Sequence, residues 1–141
     1  MTHSAPGEPA APISIHASAV VVGEACVLLR GPSGSGKSGA SMALIELAKM
    51  RRLFARLVAD DRVRLEVKGG RLIASPHPAI AGRIERRGQG IYAAPHLPNA
   101  VVALVVDLAA ERQIPRLPDP GDLETTIEGV AVPRISVIGS P

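Results

Sequence analysis

Apolar and polar positions along the chain fall into short runs with two different periods. Ile13-Ser14-Ile15-His16 alternates as a strand does, and Ser18 to Val22 is a second short apolar run before Gly23-Glu24 turns the chain. Together these pieces predict a small antiparallel edge. Ala25 to Arg30 is more uniformly apolar and reads as a buried strand. From Lys37 to Met50 the period lengthens, with Met42, Leu44, Ile45, Leu47 and Ala48 at helical spacing, which predicts a helix that packs one face on a sheet. Phe54 to Ala59 returns to strand character and ends in Asp60-Asp61. Arg62 to Lys68 then alternates cleanly, Gly69-Gly70 makes a hairpin turn, and Arg71 to Ala74 is the returning strand.

Farther along, Ser75 to Gly82 reads as loop, interrupted at most by a helical turn, and Ile84 to Tyr92 mixes short strand character with two glycines and a cluster of charges. Val101 to Val106 is a continuous apolar run, suited to a central strand covered on both faces. Glu111 to Asp122 is a Pro-rich surface loop. Two short strands, Glu124 to Ile127 and Arg134 to Val137, flank a turn at Gly129. No repeat or coiled-coil heptad is evident, and the Ala/Pro-rich start over 1–12 predicts a flexible segment ahead of a single domain over 13–141.

The run Gly31-Pro32-Ser33-Gly34-Ser35-Gly36-Lys37-Ser38 stands directly between a predicted buried strand and a predicted helix. That context makes the motif a phosphate loop rather than a flexible Gly/Ser linker. Its glycines let successive amide N–H groups face one anion while the helix offers its positive end. Lys37 supplies a mobile charge for β- and γ-phosphates, and the Ser38 hydroxyl is placed to ligate a bridging Mg²⁺.

Composition narrows the partners. The 141 residues suffice for one core, and a net charge of +3 is modest. One Tyr, one Phe and no Trp leave almost nothing to stack on bases, which argues against a nucleic-acid channel. Cys26 is the only cysteine, so the chain has no intrachain disulfide and no zinc-ligand spacing, and a small buried hydrophobe is expected there. No signal-peptide pattern and no run of about 20 apolar residues occurs, which predicts a soluble cytoplasmic protein without a membrane partner.

Asp60 and Asp61 follow an apolar strand, where an α/β nucleotide fold places groups that face the phosphates. One carboxylate can help to hold Mg²⁺ and the other can accept the proton of an attacking hydroxyl; the bland alternative is a solvated turn. His77 and His96, beside prolines in loops, are expected to be exposed histidines rather than ligands.

Ser14-Ile15-His16-Ala17, the loop from Gly31 to Ser38, Leu57-Val58-Ala59-Asp60-Asp61-Arg62-Val63 and Gly82-Arg83-Ile84-Glu85-Arg86-Arg87-Gly88-Gln89-Gly90-Ile91 together resemble, in order and spacing, the catalytic domain of HPr kinase/phosphorylase. The resemblance runs from about Ile13 to Pro133 and extends to the short forms known from alphaproteobacteria. It implies an α/β phosphate-loop NTPase-like fold, similar to the HPr kinase C-terminal domain and to phosphoenolpyruvate carboxykinases. The activity implied is that of an ATP-dependent serine kinase acting on an HPr-like phosphocarrier of the phosphotransferase system, with reversal by inorganic phosphate that releases pyrophosphate.

By the same resemblance Asp60 is the general base, Asp61 accompanies it at the metal, His16 stands near the reacting phosphate and Lys37 serves catalysis. Ser38, Asp61 and Glu85 would hold Mg²⁺, and Arg87 and Arg116 would handle phosphate or phosphocarrier. Relatives commonly assemble as hexamers, and a sensor kinase is a further partner if the domain works as a regulatory module. The resemblance also implies that the separate N-terminal domain of the long forms is lacking and that the C-terminal helices which help to hold the hexamer are abbreviated. A small-molecule kinase, a plain NTPase and a nucleotide-gated regulatory module remain alternatives, because a phosphate loop does not choose its acceptor.

Overall fold

The fold is seen in a computed structural model, which describes residues 11–86, 88 and 90–139. β1 (Ile13–Ile15), β2 (Ala17–Val22) and β3 (Ala25–Arg30) lead into the glycine-rich loop and the helix α1 (Lys37–Met50). β4 (Ala55–Ala59), β5 (Val63–Lys68) and β6 (Arg71–Pro76) follow, then the short pair β7 (Arg83–Arg86) and β8 (Gly90–Ala93), the long β9 (Ala100–Ala109) and the hairpin β10 (Glu124–Ile127) and β11 (Val130–Ile138). The flexible segment expected over 1–12 lies outside the described residues except for Ala11 and Pro12, which are exposed.

Among the described residues one sheet runs in the order β1-β5-β6-β9-β3-β2-β4, with β11 joined to β9 and β10 to β11, while β7 and β8 pair apart from it. β9 is the hub. It pairs in parallel with β3 (Leu28↔Val105, Arg30↔Asp107) and with β11 (Val105↔Arg134 to Ala109↔Ile138), and antiparallel with β6 at Val101 and Ala100. The parallel pairing brings the C-terminal ends of β3, β9 and β11 to one edge, where ligand loops of open α/β sheets lie.

Two expectations need correction. β1 and β2 do not form an edge together: β1 pairs with β5, and β2 lies inside the sheet between β3 and β4. The bend at His16 separates them, and the Ala-Ser-Ala-Val-Val sequence that follows is small enough to be buried on both faces. β9 is likewise covered less evenly than a central strand, since Val101 is 41% exposed. The pairs Cys26↔Val102 and Val27↔Leu104 leave Ala103 as an extra residue in β9. Such a bulge flips the alternation, so Val102 and Val105 share one face while Leu104, Val106 and Leu108 share the other.

Leu29, Val106 and Leu108 pack with Ala40 and Leu44 of α1, and Val20, Leu57 and Ile84 with Met42 and Ile45. The opposite face closes on itself, with Ala17, Ala19, Cys26 and Leu28 against Val63, Leu65, Leu72, Ile127 and Val132. α1 stops where Arg52 turns left-handed at φ 57° and the Leu53 amide returns to the Ala48 carbonyl at 2.8 Å. Among the described residues no helix is long and apolar enough to cross a membrane.

At the edge shared by the parallel strands, Arg30 Nε and Nη2 donate to the two oxygens of Asp107 at 2.7 and 2.9 Å, and Arg134 donates to the same carboxylate. Arg134 also reaches the Asp122 carbonyl at 2.9 Å, so one carboxylate ties β3, β9 and β11 together just ahead of the loop. Burial alone would raise the Asp107 pKa, but the hydrogen bonds and charges of Arg30 and Arg134 outweigh it and hold the carboxyl below its ordinary value. A depressed folded-state pKa means that the stabilisation is complete above the unfolded value of about 4 and is lost as pH falls through the folded value. Asp107→Asn is therefore expected to lower unfolding stability by about 1–3 kcal/mol at pH 7, through the two stranded guanidinium groups. In urea melts the deficit should shrink below pH 4, and an equal deficit at pH 7 and pH 3 would count against the clamp.

Candidate phosphate-binding site

The loop is shaped from beneath. A Cβ on Gly31 would stand 2.5 Å from Ser35 Oγ and 3.1 Å from both the Cβ and the carbonyl oxygen of Leu108, so any side chain there would force its neighbours to shift. Gly139, which follows β11, presses on the same loop, because its Cβ would stand 3.0 Å from the Ser35 carbonyl oxygen. Gly36 caps α1 at φ 92° with no side-chain cap, and the first turn of α1 carries no acidic residue. An uncapped helix start of this kind offers its amides and positive dipole end to an anion.

Lys37 is 5% exposed. Its Nζ donates to the carbonyls of Gly31 at 2.9 Å and Pro32 at 3.2 Å and stands 3.9 Å from Asp61 Oδ1. Ser38, one residue on, donates its hydroxyl to Asp60 Oδ1 at 2.8 Å. The loop and the tandem aspartates therefore meet.

A register shift decides which aspartate turns inward. β2 and β4 pair Val20 with Leu57 but Ala19 with Ala59, leaving Val58 as an extra residue in β4. Strict alternation from Leu57, which faces α1, would put Asp60 on the far face. The bulge reverses this: Val58 and Ala59 join the core away from α1, and Asp60 faces Ser38 at 4% exposure. Asp61 follows in the left-handed region at φ 62°, its side chain 65% exposed, in a tight turn closed by the Arg62 amide on the Asp60 carbonyl at 2.7 Å.

Sequence reasoning missed Ser18, which is fully buried on β2. Its hydroxyl donates to Asp60 Oδ1 at 3.1 Å and accepts from the Asp61 amide at 3.0 Å. A polar residue inside an otherwise apolar strand was the available signal. The Arg30, Asp107 and Arg134 clamp was also missed, for it joins charges far apart in sequence.

Other candidates lie farther out. His16 stands exposed in the bend between β1 and β2, and His77 and His96 are exposed as expected. Glu85 is on β7, which packs on α1 through Ile84. Its side chain, like Arg87, lies outside the described residues. Arg116 lines an open cleft of about 540 Å³ with Glu111, Ile114 and Ser136 to Ile138, the last three at the end of β11. Cys26 is buried, and burial pushes its thiol up to about 12, so it carries no thiolate at neutral pH.

The oxygen donors fit a hard divalent cation. Ser38 and Asp60 stand together with Asp61 adjacent, and among the described residues no three His, Cys, Asp or Glu side chains converge as a cage. Mg²⁺ is commonly held in this way, by one or two protein oxygens with phosphate and water completing the shell.

A glycine-rich loop between a buried strand and an uncapped helix, with a lysine, a serine and a carboxylate pair at its mouth, defines a phosphate-loop nucleotide-binding domain. The family model for the HPr Serine kinase C-terminal domain matches residues 8–138, and the chain belongs to that family. It is 34% identical over 135 residues to the HPr kinase/phosphorylase of Limosilactobacillus reuteri, covering 88% of this chain and 40% of the relative. To the corresponding protein of Treponema pallidum it is 34% identical over 137 residues, covering 89% and 41%. The chain thus spans about two fifths of the length of these relatives. The solved structure of the Hpr(Ser) kinase/phosphatase from Coxiella burnetii superimposes with a TM-score of 0.72 at 30% identity, covering 92% of this chain and 81% of that one. The mixed α/β phosphate-loop fold is accordingly that of the HPr kinases.

Two glycines, one that opens the loop and one just beyond it in α1, should respond with opposite signs. Gly31→Ala meets backbone as well as side chain and is expected to lower unfolding stability by about 1–3 kcal/mol, whereas Gly39, in the first turn of α1 with nothing within 4 Å of a Cβ, should gain up to about 1 kcal/mol as Ala. Denaturant melts of the two variants check this, and a Gly31→Ala chain as stable as its parent would contradict the close approach described.

Proposed function

We propose that this domain is an ATP-dependent serine kinase of an HPr-like phosphocarrier, and that it also phosphorolyses the phosphoserine product. The observation that carries this reading is the convergence of Lys37, Ser38, Asp60 and Asp61 at the mouth of the loop, in a chain of this family.

In the proposed mechanism the loop amides and the start of α1 bind the β- and γ-phosphates, and Lys37 exchanges its two carbonyl partners for phosphate oxygens. Ser38 and Asp61, with Glu85 as the resemblance implies, would hold Mg²⁺, which would draw charge from the phosphoryl oxygens when bound. Asp60 takes the proton of the attacking serine hydroxyl as the serine O–P bond forms and the bond to ADP breaks. In reverse, inorganic phosphate attacks the phosphoserine, the serine oxygen leaves with a proton from the same carboxyl group, and pyrophosphate is released. His16 and Arg87 act beside the transferred group, and Arg116 on the acceptor side. Assembly into hexamers rests on the family resemblance, and a sensor-kinase contact belongs to the regulatory-module alternative.

One contact favours a second assignment within the same mechanism. Ser38 and Asp60 share a 2.8 Å hydrogen bond, the relation expected of a loop serine and the carboxylate behind its metal, while the exposed Asp61 faces solvent, from which an acceptor would arrive. In that version Asp60 supports the metal and Asp61 takes the proton.

Two experiments test these readings. Incubation of an HPr-type phosphocarrier with the protein, Mg²⁺ and ATP should add one phosphoryl group to a serine, seen by mass spectrometry and absent with Lys37→Ala. ATP binding without any phosphoserine would move the weight to another acceptor or to a nucleotide-gated regulatory module. For the aspartates, the general base should lose on the order of 100-fold in transfer as Asn, with nucleotide affinity changed only a few-fold. The metal-side partner should instead show a raised Mg²⁺ requirement. Asp60→Asn behaving as the former supports the first assignment, and Asp61→Asn doing so supports the second.

A further inference from the structure

We infer that Ser18 is a positioning residue that orients both acidic groups of the site through one hydroxyl. The inference deepens the proposed reading of the site as a nucleotide and metal centre and rests on it.

Ser18 is fully buried in β2, where its neighbours on the α1 face, Val20 and Val22, pack against apolar side chains of α1. Packing alone would be met by Ala, and a hydroxyl taken out of water is costly unless it is hydrogen-bonded. A serine hydroxyl has one proton to give and lone pairs to receive. Here the proton goes to Asp60 Oδ1 at 3.1 Å and a lone pair takes the Asp61 amide at 3.0 Å. The two bonds act on different parts of the pair: one turns the Asp60 carboxylate, and the other fixes the peptide that aims Asp61.

Both effects bear on the phosphate loop. Asp60 Oδ1 is also the oxygen that accepts from Ser38, so Ser18 and the loop serine are joined by two hydrogen bonds that meet on one carboxylate oxygen. Asp61 is held at φ 62°, a left-handed conformation that is uncommon outside glycine, although Asp adopts it more readily than most residues. The amide bond to Ser18, together with the turn closed by Arg62, holds it there. Ser18 need not touch nucleotide or acceptor, since it acts through the aspartates.

The test compares Ser18→Ala, Ser18→Thr and Ser18→Cys with the parent. Calorimetry measures ATP affinity with and without Mg²⁺, and NMR measures hydrogen exchange at the Asp61 amide. Ser18→Ala is expected to cut the Mg²⁺-dependent gain in ATP affinity by about fivefold, the scale of one hydrogen bond, while metal-free affinity stays within about twofold. The Asp61 amide should exchange about tenfold faster, since it loses its acceptor. Ser18→Thr, which keeps the hydroxyl, should restore both readouts; if its extra methyl unfolds the chain, Ser18→Cys, with a weak donor, should fall between Ala and the parent. An Ala variant with parental Mg²⁺ gain and parental Asp61 exchange overturns the inference. So does one that loses affinity equally with and without Mg²⁺, in step with lost thermal stability. If the parent binds ATP with no Mg²⁺ effect, the metal part of the proposed function fails, and exchange at Asp61 alone then decides whether Ser18 positions the pair.

Discussion

Everything at the nucleotide end of this domain depends on the parallel pairing of β3 with β9. Antiparallel neighbours would put the loop after β3 beside the start of the next strand; the parallel register, with Leu28 beside Val105 and Arg30 beside Asp107, puts it beside the end of β9 and, through β9, the end of β11. Leu108 and Gly139 then form the floor of the loop. Parallel pairs are slightly weaker per residue than antiparallel ones, and this pair carries an ionic clamp at its last position, where Asp107 receives Arg30 from one neighbour and Arg134 from the other. The clamp lies one residue ahead of Gly31. Its geometry is therefore passed to the loop without an intervening hinge.

A second constraint acts on the other side of the loop. The extra residue at Val58 converts a strand that would aim Asp60 away from α1 into one that aims it at Ser38. A bulge disrupts ladder bonding, and it is tolerated here because β4 is the last strand of the main path, bordered by a short stretch in which the Leu57 amide donates to Pro95 and the Leu97 amide to Leu57. That stretch seals the edge left by the bulge. Gly82 in turn lies against the ring of His96, where its φ of 74° and the absence of a Cβ let the stretch come close. Residues remote from the chemistry thus carry the cost of bringing one carboxylate inward.

Much of this was legible before any coordinates. The phosphate loop, the strand before it, the helix after it, the hairpin of β5 and β6 and the hairpin of β10 and β11 each have a local signal, and each appears close to where period and turn residues put it. What stayed illegible is non-local. The partner of β1 is set by how the sheet folds back, not by Ile13 to Ile15 themselves, and the bulges at Val58 and Ala103 arise from registers between strands far apart in sequence. Ser18 and Asp60 are 42 residues apart, and Arg30 and Asp107 are 77 apart. No window short enough to show a period contains both members of either pair. Of the candidate site, the sequence alone indicated Lys37, Ser38, Asp60 and Asp61, which the structure brings together, but not that Asp60 would be buried and Asp61 exposed.

The contacts of Lys37 bear on what the loop selects. Its backbone is already shaped, yet its principal cation is occupied, with Lys37 holding the carbonyls of Gly31 and Pro32 and standing near Asp61. A ligand that draws Lys37 away strands those carbonyls, each at a cost of about 1–3 kcal/mol if they remain buried. A single neutral acceptor cannot offset that, because an ordinary hydrogen bond contributes only about 1 kcal/mol net. Phosphate oxygens can, since charge-assisted bonds are roughly twice as strong as neutral ones and the helix start and loop amides add several at once. On the proposed reading, the self-satisfied lysine discriminates against weak or uncharged ligands, and the choice of acceptor falls to the groups around Asp60 and Asp61.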